Sequence, residues 1–326
     1  MKKLNKAIIA STLALLLVAC GDDKAPQTES NATASTTAAA TTAPAKTVTI
    51  KHASGETVVP LNPERVVVFD FGTLDTLEAL DIDVIGLPRA NMPAYLSSYD
   101  NGKYLDFGTL KEPNFEAIHG AKPDFIVISH RQAPLYEQFS EIAPTINLAI
   151  DNKHYLDSVT GNMKTLGQIF GKEGEAEKEI KAIEQKVADV RAQTANMDEN
   201  ALILLVNDGK ISAYGPGSRF GLIHDVLGMK PADPSIKAES THGQTVSFEY
   251  VMDLNPDYIF VVDRSAVVGN SDSSAKQVVE NDLVKNTNAY KNGKIIYLDP
   301  NVWYLSGGGF KSTETMIDDV QNAIKK

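Results

Sequence analysis

Apolar residues in this chain fall into short unbroken runs separated by amphipathic stretches. Runs at 65–69, 83–87, 125–128, 201–206, 258–262 and 294–298 read as buried strands, because burial on both faces removes the in–out alternation. Alternating stretches at 47–51 and 57–59 flank Ser54-Gly55 and predict a hairpin. Segments 145–148 and 210–214 add two more strands. Helical spacing covers 73–80, 135–142, 155–170, 173–194 and 222–227, and a last amphipathic helix ends the chain. Strands alternating with helices predict an α/β fold.

One stretch occurs twice. Residues 114–131 read NFEAIHGAKPDFIVISHR and residues 247–264 read SFEYVMDLNPDYIFVVDR, aligned without a gap 133 positions apart. Each copy predicts a helix, a turn and a strand. Asn114 and Ser247 are good N-caps, Glu116 and Glu249 suit the first turn, and Pro123 and Pro256 end the helical part. Arg131 and Arg264 fall just past the strands' carboxyl ends, where open α/β sheets bind ligands. Helices run antiparallel to the strands, so Glu116 and Glu249 lie on the same rim. The duplication predicts two similar lobes, each a mostly parallel central sheet flanked by helices.

The 155–170 pattern (Leu156, Val159, Met163, Leu166, Ile169, Phe170) is continuous and lies between the copies. At 1.5 Å per residue it spans roughly 24 Å, enough to join the lobes as one long rigid helix with small hinge motion. The expected organisation is a signal peptide at 1–20, a tether at 21–46, a first lobe at 47–152, the interlobe helix at 153–171 and a second lobe at 172–326.

The N-terminus changes the picture of where the chain works. Lys2, Lys3 and Lys6 precede a short apolar stretch ending Leu17-Val18-Ala19-Cys20. That ending resembles a lipobox, which implies that Cys20, the only Cys, is acylated and anchors the mature chain. Residues 21–46 are Ser, Thr, Ala and Pro with almost no large apolar side chain, a flexible tether reaching roughly 25–30 Å. The net charge of −11 argues against a nucleic-acid partner. Against that background the six arginines, at 65, 89, 131, 191, 219 and 264, carry information.

From residue 47 onward the chain resembles the class III periplasmic substrate-binding proteins served by ABC importers. The matching parts are Asn62-Pro-Glu-Arg-Val66, Gly108-Thr-Leu, Lys122-Pro-Asp124, Thr165-Leu-Gly-Gln-Ile-Phe-Gly171 and Asn255-Pro-Asp257. Arg131, Gly217-Ser-Arg219-Phe, Thr241-His242-Gly and Trp303-Tyr304-Leu305 are most similar to the enterochelin-uptake lipoproteins, which take ferric catecholate siderophores. The resemblance implies a ligand site of Arg131, Arg219, Arg264, His242 and Tyr304. The arginines would hold catecholate oxygens by charge-assisted hydrogen bonds. His242 and Tyr304 would complete the coordination of Fe(III), which arrives with the siderophore and is no permanent cofactor. Glu116 and Glu249 would dock on the permease. The implied protein is a monomer on the periplasmic side of the inner membrane, or on the outer face of a Gram-positive cell membrane. Arg89 and His130 are further candidates for the cleft, and Trp303 for its wall.

Haem and cobalamin are the alternatives within this fold. A hydrolase or transferase is the alternative outside binding proteins, but the chain has no G-x-S-x-G elbow and no H-E-x-x-H site. A ligand-sensing lipoprotein without a transport role is a third. The expectation is a non-enzymatic binding protein for a ferric siderophore.

Overall fold

A computed structural model describes residues 46–237, 242–268 and 274–325. The signal peptide, the tether up to residue 45, Cys20 and Thr241 lie outside the described residues.

The first lobe opens with an antiparallel hairpin of β1 (Thr47–His52) and β2 (Gly55–Pro60). Then come β3 (Val66–Val68), β4 (Gly86–Leu87), β5 (Leu105–Asp106), β6 (Phe125–Ile128) and β7 (Thr145–Asn147). They form an all-parallel sheet in the order β5-β4-β3-β6-β7. The second lobe holds β8 (Asn200–Asn207), β9 (Lys210–Tyr214), β10 (Lys230–Pro231), β11 (Gln244–Thr245), β12 (Tyr258–Asp263) and β13 (Ile295–Leu298). Its order is β11-β9-β8-β12-β13, with β10 beside the start of β8. Strands β8, β12 and β13 are parallel, whereas β9 and β11 are antiparallel to their neighbours.

The repeat is visible bond by bond. Asn114 and Ser247 cap their helices by accepting from Ala117 N (3.0 Å) and Tyr250 N (3.2 Å). The helices Phe115–Ala121 and Phe248–Leu254 both end on a left-handed residue before the proline, Lys122 (φ 49°) and Asn255 (φ 47°). The aspartate after each proline ties the coming strand to its neighbour. Asp124 accepts from Glu64 N and Arg65 N at 2.8 Å, and Asp257 accepts from Asn200 N at 3.1 Å. Replacing Asp124 with Ala leaves two backbone donors at the entry to β3 without their acceptor. The expected loss is about 1–2 kcal/mol, measured as a lower urea midpoint at unchanged slope.

Four segments differ from the sequence expectation. The 83–87 strand shrinks to Gly86–Leu87, and Gly86 lies so close to β5 that a Cβ there would come within 2.4 Å of the Phe107 ring. The 135–142 helix becomes a 3₁₀ turn, His130–Leu135, and a short helix, Tyr136–Ser140, with Pro134 at the break. The loop after β13 contains a π-helical turn, Asn301–Leu305, and the 222–227 helix is a similar turn, Leu222–Val226.

The helix Tyr155–Ile169 packs on Glu173–Thr194, and one apolar cluster runs from Val66 and Phe125 through both helices to Ile203 and Phe260. The two sheets therefore share a core. The last helix, Phe310–Ile324, adds a second junction. Asp75 of the first-lobe helix Phe71–Ala79 accepts from Lys311 N (3.1 Å) and Ser312 N (2.7 Å), capping the last helix from across the molecule. Gly72 makes the approach possible, since a Cβ there would sit 2.2 Å from the Gly307 carbonyl oxygen.

Candidate functional site

Three segments from two lobes converge on one tyrosine. Arg131 enters on the 3₁₀ turn after β6, whose start is fixed by a capping box of Ser129 and Gln132. Gln132 is fully buried and donates from Nε2 to the Leu110 carbonyl at 2.5 Å, so the turn has little freedom. Arg264 directly follows β12, and its backbone N–H donates to the Val206 carbonyl at 3.0 Å. Arg219 lies in the loop after β9, where Gly217 N donates to Asp225 Oδ2 at 2.6 Å.

The three guanidiniums address Tyr304 in different ways. Arg131 donates from Nη2 to the Tyr304 carbonyl at 2.9 Å, a bond that crosses from first lobe to second. Arg219 donates to the same carbonyl and lies over the Tyr304 ring, 4.2 Å from its centroid. Arg264 donates from Nε to the Tyr304 hydroxyl at 2.8 Å and from Nη1 to Asn207 Oδ1 at 2.5 Å. All four side chains are half-buried.

The electrostatics follow from this crowding. Burial pushes the Tyr304 phenol up, but the Arg264 hydrogen bond and the charges of Arg219 and Arg264 outweigh it and hold the phenol below its ordinary value. Burial, followed by the charge of Arg131, lowers the value of Arg219. Burial raises the Asp70 carboxyl, against its Thr73 hydrogen bonds and the charge of Arg131. Asp70 also caps the helix Phe71–Ala79 through Thr73 N at 2.8 Å. The arrangement is a concentration of positive charge that an anion would relieve.

The other sequence candidates sit elsewhere. His242 is exposed in the turn before β11. The next residue, Gly243 (φ 71°), lies against the Tyr214 ring, where a Cβ would come within 2.6 Å. Tyr214 in turn packs edge-on against Phe220 at 4.7 Å, beside Arg219. Glu116 and Glu249 are exposed in the first turns of the repeated helices, and among the described residues neither enters an ion pair. Arg89 is paired with Asp100, and His130 is exposed. Trp303 does not line an open wall. It is 2% exposed, and its Nε1 donates to Asp319 Oδ2 of the last helix at 2.8 Å. Sequence reasoning missed Asn207 and Asp70. The turn pair Asp208-Gly209 marked the end of β8 and could have pointed to Asn207, whereas Asp70 gave no signal beyond a possible N-cap.

Among the described residues no group of three or more His, Cys, Asp or Glu is arranged to hold a metal ion. No helix among them is long and apolar enough to cross a membrane.

A family model described as periplasmic binding protein matches residues 66–302. The petrobactin-binding protein YclQ of Bacillus subtilis is 47% identical over 330 residues, covering all of both chains. Its crystal structure matches with a TM-score of 0.84, over 86% of this chain and 99% of that one. The ferric-anguibactin-binding protein FatB of Vibrio anguillarum is 36% identical over 278 residues, 84% of this chain and 86% of its own. The catecholate-siderophore-binding protein VctP of Vibrio cholerae matches with a TM-score of 0.81 at 37% identity, over 85% of this chain and all of that one. The two-lobed fold, the family model and these relatives agree, and the chain belongs to the periplasmic binding protein family, as a binding protein and not an enzyme.

Proposed function

We propose that this chain captures a ferric siderophore of catecholate type between its lobes and delivers it to the permease of an ABC importer. The observation that carries this reading is the convergence of Arg131, Arg219 and Arg264 on Tyr304. A ferric catecholate is anionic and presents planar arrays of oxygen. Guanidinium groups match both features. The names of YclQ, FatB and VctP favour a siderophore cargo.

Fe(III) is cargo here. The siderophore supplies most of its ligands, and Tyr304, with His242 from the turn before β11, would supply the remainder when the siderophore leaves positions open. A phenol already held low gives up its proton to a hard cation more readily. Glu116 and Glu249, one on each repeated helix, would face arginines of the permease. Cys20 would carry the acyl anchor, placing a monomeric body on the periplasmic side of the inner membrane or on the outer face of a Gram-positive membrane.

The test is a fluorescence titration of the body lacking residues 1–20 with a ferric bis-catecholate, with visible absorption and circular dichroism in parallel. Trp303, the only Trp, sits next to Tyr304 and is quenched by energy transfer to the ferric chromophore without contact. Saturation at submicromolar ligand is expected. The charge-transfer band of the complex moves in Tyr304→Phe and in His242→Ala if both ligate iron. A band unmoved in both variants removes them as ligands and keeps the capture. No saturable quenching rejects the catecholate cargo, and haem is titrated next.

A further inference from the structure

We propose that Asn207 is the positioning residue of this site: it fixes the direction in which Arg264 presents its donors to the ligand. The inference rests on the cargo reading above for its ligand, but not for its geometry.

The backbone at Asn207 is held on two sides. On one side it forms the last pair of the β8–β9 hairpin, Asn207 with Lys210. The two residues between, Asp208 (φ 49°) and Gly209 (φ 75°), both take the left-handed conformation that a tight two-residue turn demands. On the other side lies β12, paired in parallel with Asp263 opposite Val206. Arg264 N donates to the Val206 carbonyl, and Asp208 N donates to Ser265 Oγ at 2.9 Å. Asn207 and Arg264 are therefore clamped together by backbone before any side chain is considered.

The side-chain geometry then has a clear division of labour. Asn207 Oδ1 takes the Nη1 group of Arg264 and the Tyr304 hydroxyl takes Nε, while Nη2 carries no bond among the described residues. A free arginine has many rotamers and would have to be ordered by the ligand. With two anchors it is ordered beforehand, which lowers the cost of binding. The residue type matters as well. A carboxylate at 207 would hold Arg264 equally firmly, but it would neutralise the charge that an anionic ligand needs. An amide oxygen holds the guanidinium and leaves the charge in place.

The experiment compares Asn207→Ala and Asn207→Asp with wild type, after thermal melts establish that each is folded. In the empty protein, hydrogen exchange of the arginine Nε–H groups is followed by NMR, where six arginines keep the spectrum simple. Asn207→Ala is expected to speed exchange of the Arg264 Nε–H. It also lowers affinity for a ferric bis-catecholate about 10-fold and moves the band of the bound complex. Asn207→Asp is expected to keep the Nε–H protected and the band in place while affinity falls. That split separates positioning from a general disturbance of the hairpin. An Asn207→Ala variant with wild-type exchange overturns the proposal. So does a pair of variants whose bands move alike. If wild type binds no ferric catecholate, the cargo reading fails, and the exchange result alone decides the placement of Arg264.

Discussion

Arg219→Ala is expected to weaken binding of a ferric catecholate about 100-fold, read as the dissociation constant from quenching of Trp303. A hydrogen bond to a charged partner is worth about 1.5–3 kcal/mol, and stacking of a cation on an aromatic ring adds about 0.5–2 kcal/mol. Within the protein Arg219 makes both kinds of contact with Tyr304, and a catecholate would offer it the same two features, an oxygen acceptor and an aromatic ring. The full sum is not expected, because Arg131 remains on the Tyr304 carbonyl and retains part of the charge. About 2.7 kcal/mol, or two decades, lies in the lower half of the summed range of about 2–5 kcal/mol. Arg219→Lys should recover no more than a part, since an ammonium cannot lie flat on the ring while donating in a plane. Affinity within threefold of wild type in Arg219→Ala would remove this residue from the site.

Asp75→Ala is expected to give the largest loss of stability, about 2–3 kcal/mol. The carboxyl is 2% exposed and accepts the N–H groups of Lys311 and Ser312 at the start of the last helix. Its removal leaves buried donors without acceptors, loses a helix cap and opens a gap between the lobes. A drop of roughly 5–10 °C in Tm is the corresponding change. Asp75→Asn adds a pH test. Burial raises the Asp75 carboxyl above its ordinary value, against the pull of its hydrogen bonds to Ser312 and Lys311. A raised folded value means that the folded state holds the proton more tightly. Stability from this group is then full below the unfolded value of about 3.9 and falls as pH rises to the raised value. Asn has no proton to lose, so the stability of Asp75→Asn relative to wild type should improve as pH rises through that window. A gap that widens instead would reverse the sign assigned here.

Much of the fold was legible because burial writes itself into sequence. The runs at 125–128 and 258–262 lie in β6 and β12, and the 133-residue repeat reappears as matching caps, left-handed stops and strand-tying aspartates. The helix Glu173–Thr194 has the bounds its spacing predicts. What escaped was short or at an edge. β5 is two exposed residues with no pattern, and the π-helical turn Asn301–Leu305 is too brief for periodicity to reveal. Arg131 and Arg264 could be named from their positions after strands, and Arg219 from the resemblance carried by its loop. Their shared target could not, because the Tyr304 carbonyl is a backbone atom and carries no residue signature. Asn207 escaped for a related reason. Its role depends on the register between β8 and β12, and register is a property of pairing, not of either strand alone.

The junction at Asp75 also sets the order in which the molecule can be completed. Its bonds to Lys311 and Ser312 span 236 and 237 residues of sequence. A chain that emerges from its N-terminus, whether from a ribosome or through a membrane pore, can form the first sheet early. It cannot lock the helix Phe71–Ala79 until residue 312 has followed. Contacts of such long range slow folding and concentrate it at the end of the process. The last fifteen residues of regular structure thus act as a completion signal, and a chain truncated before Phe310 would persist in an unlocked, protease-sensitive state.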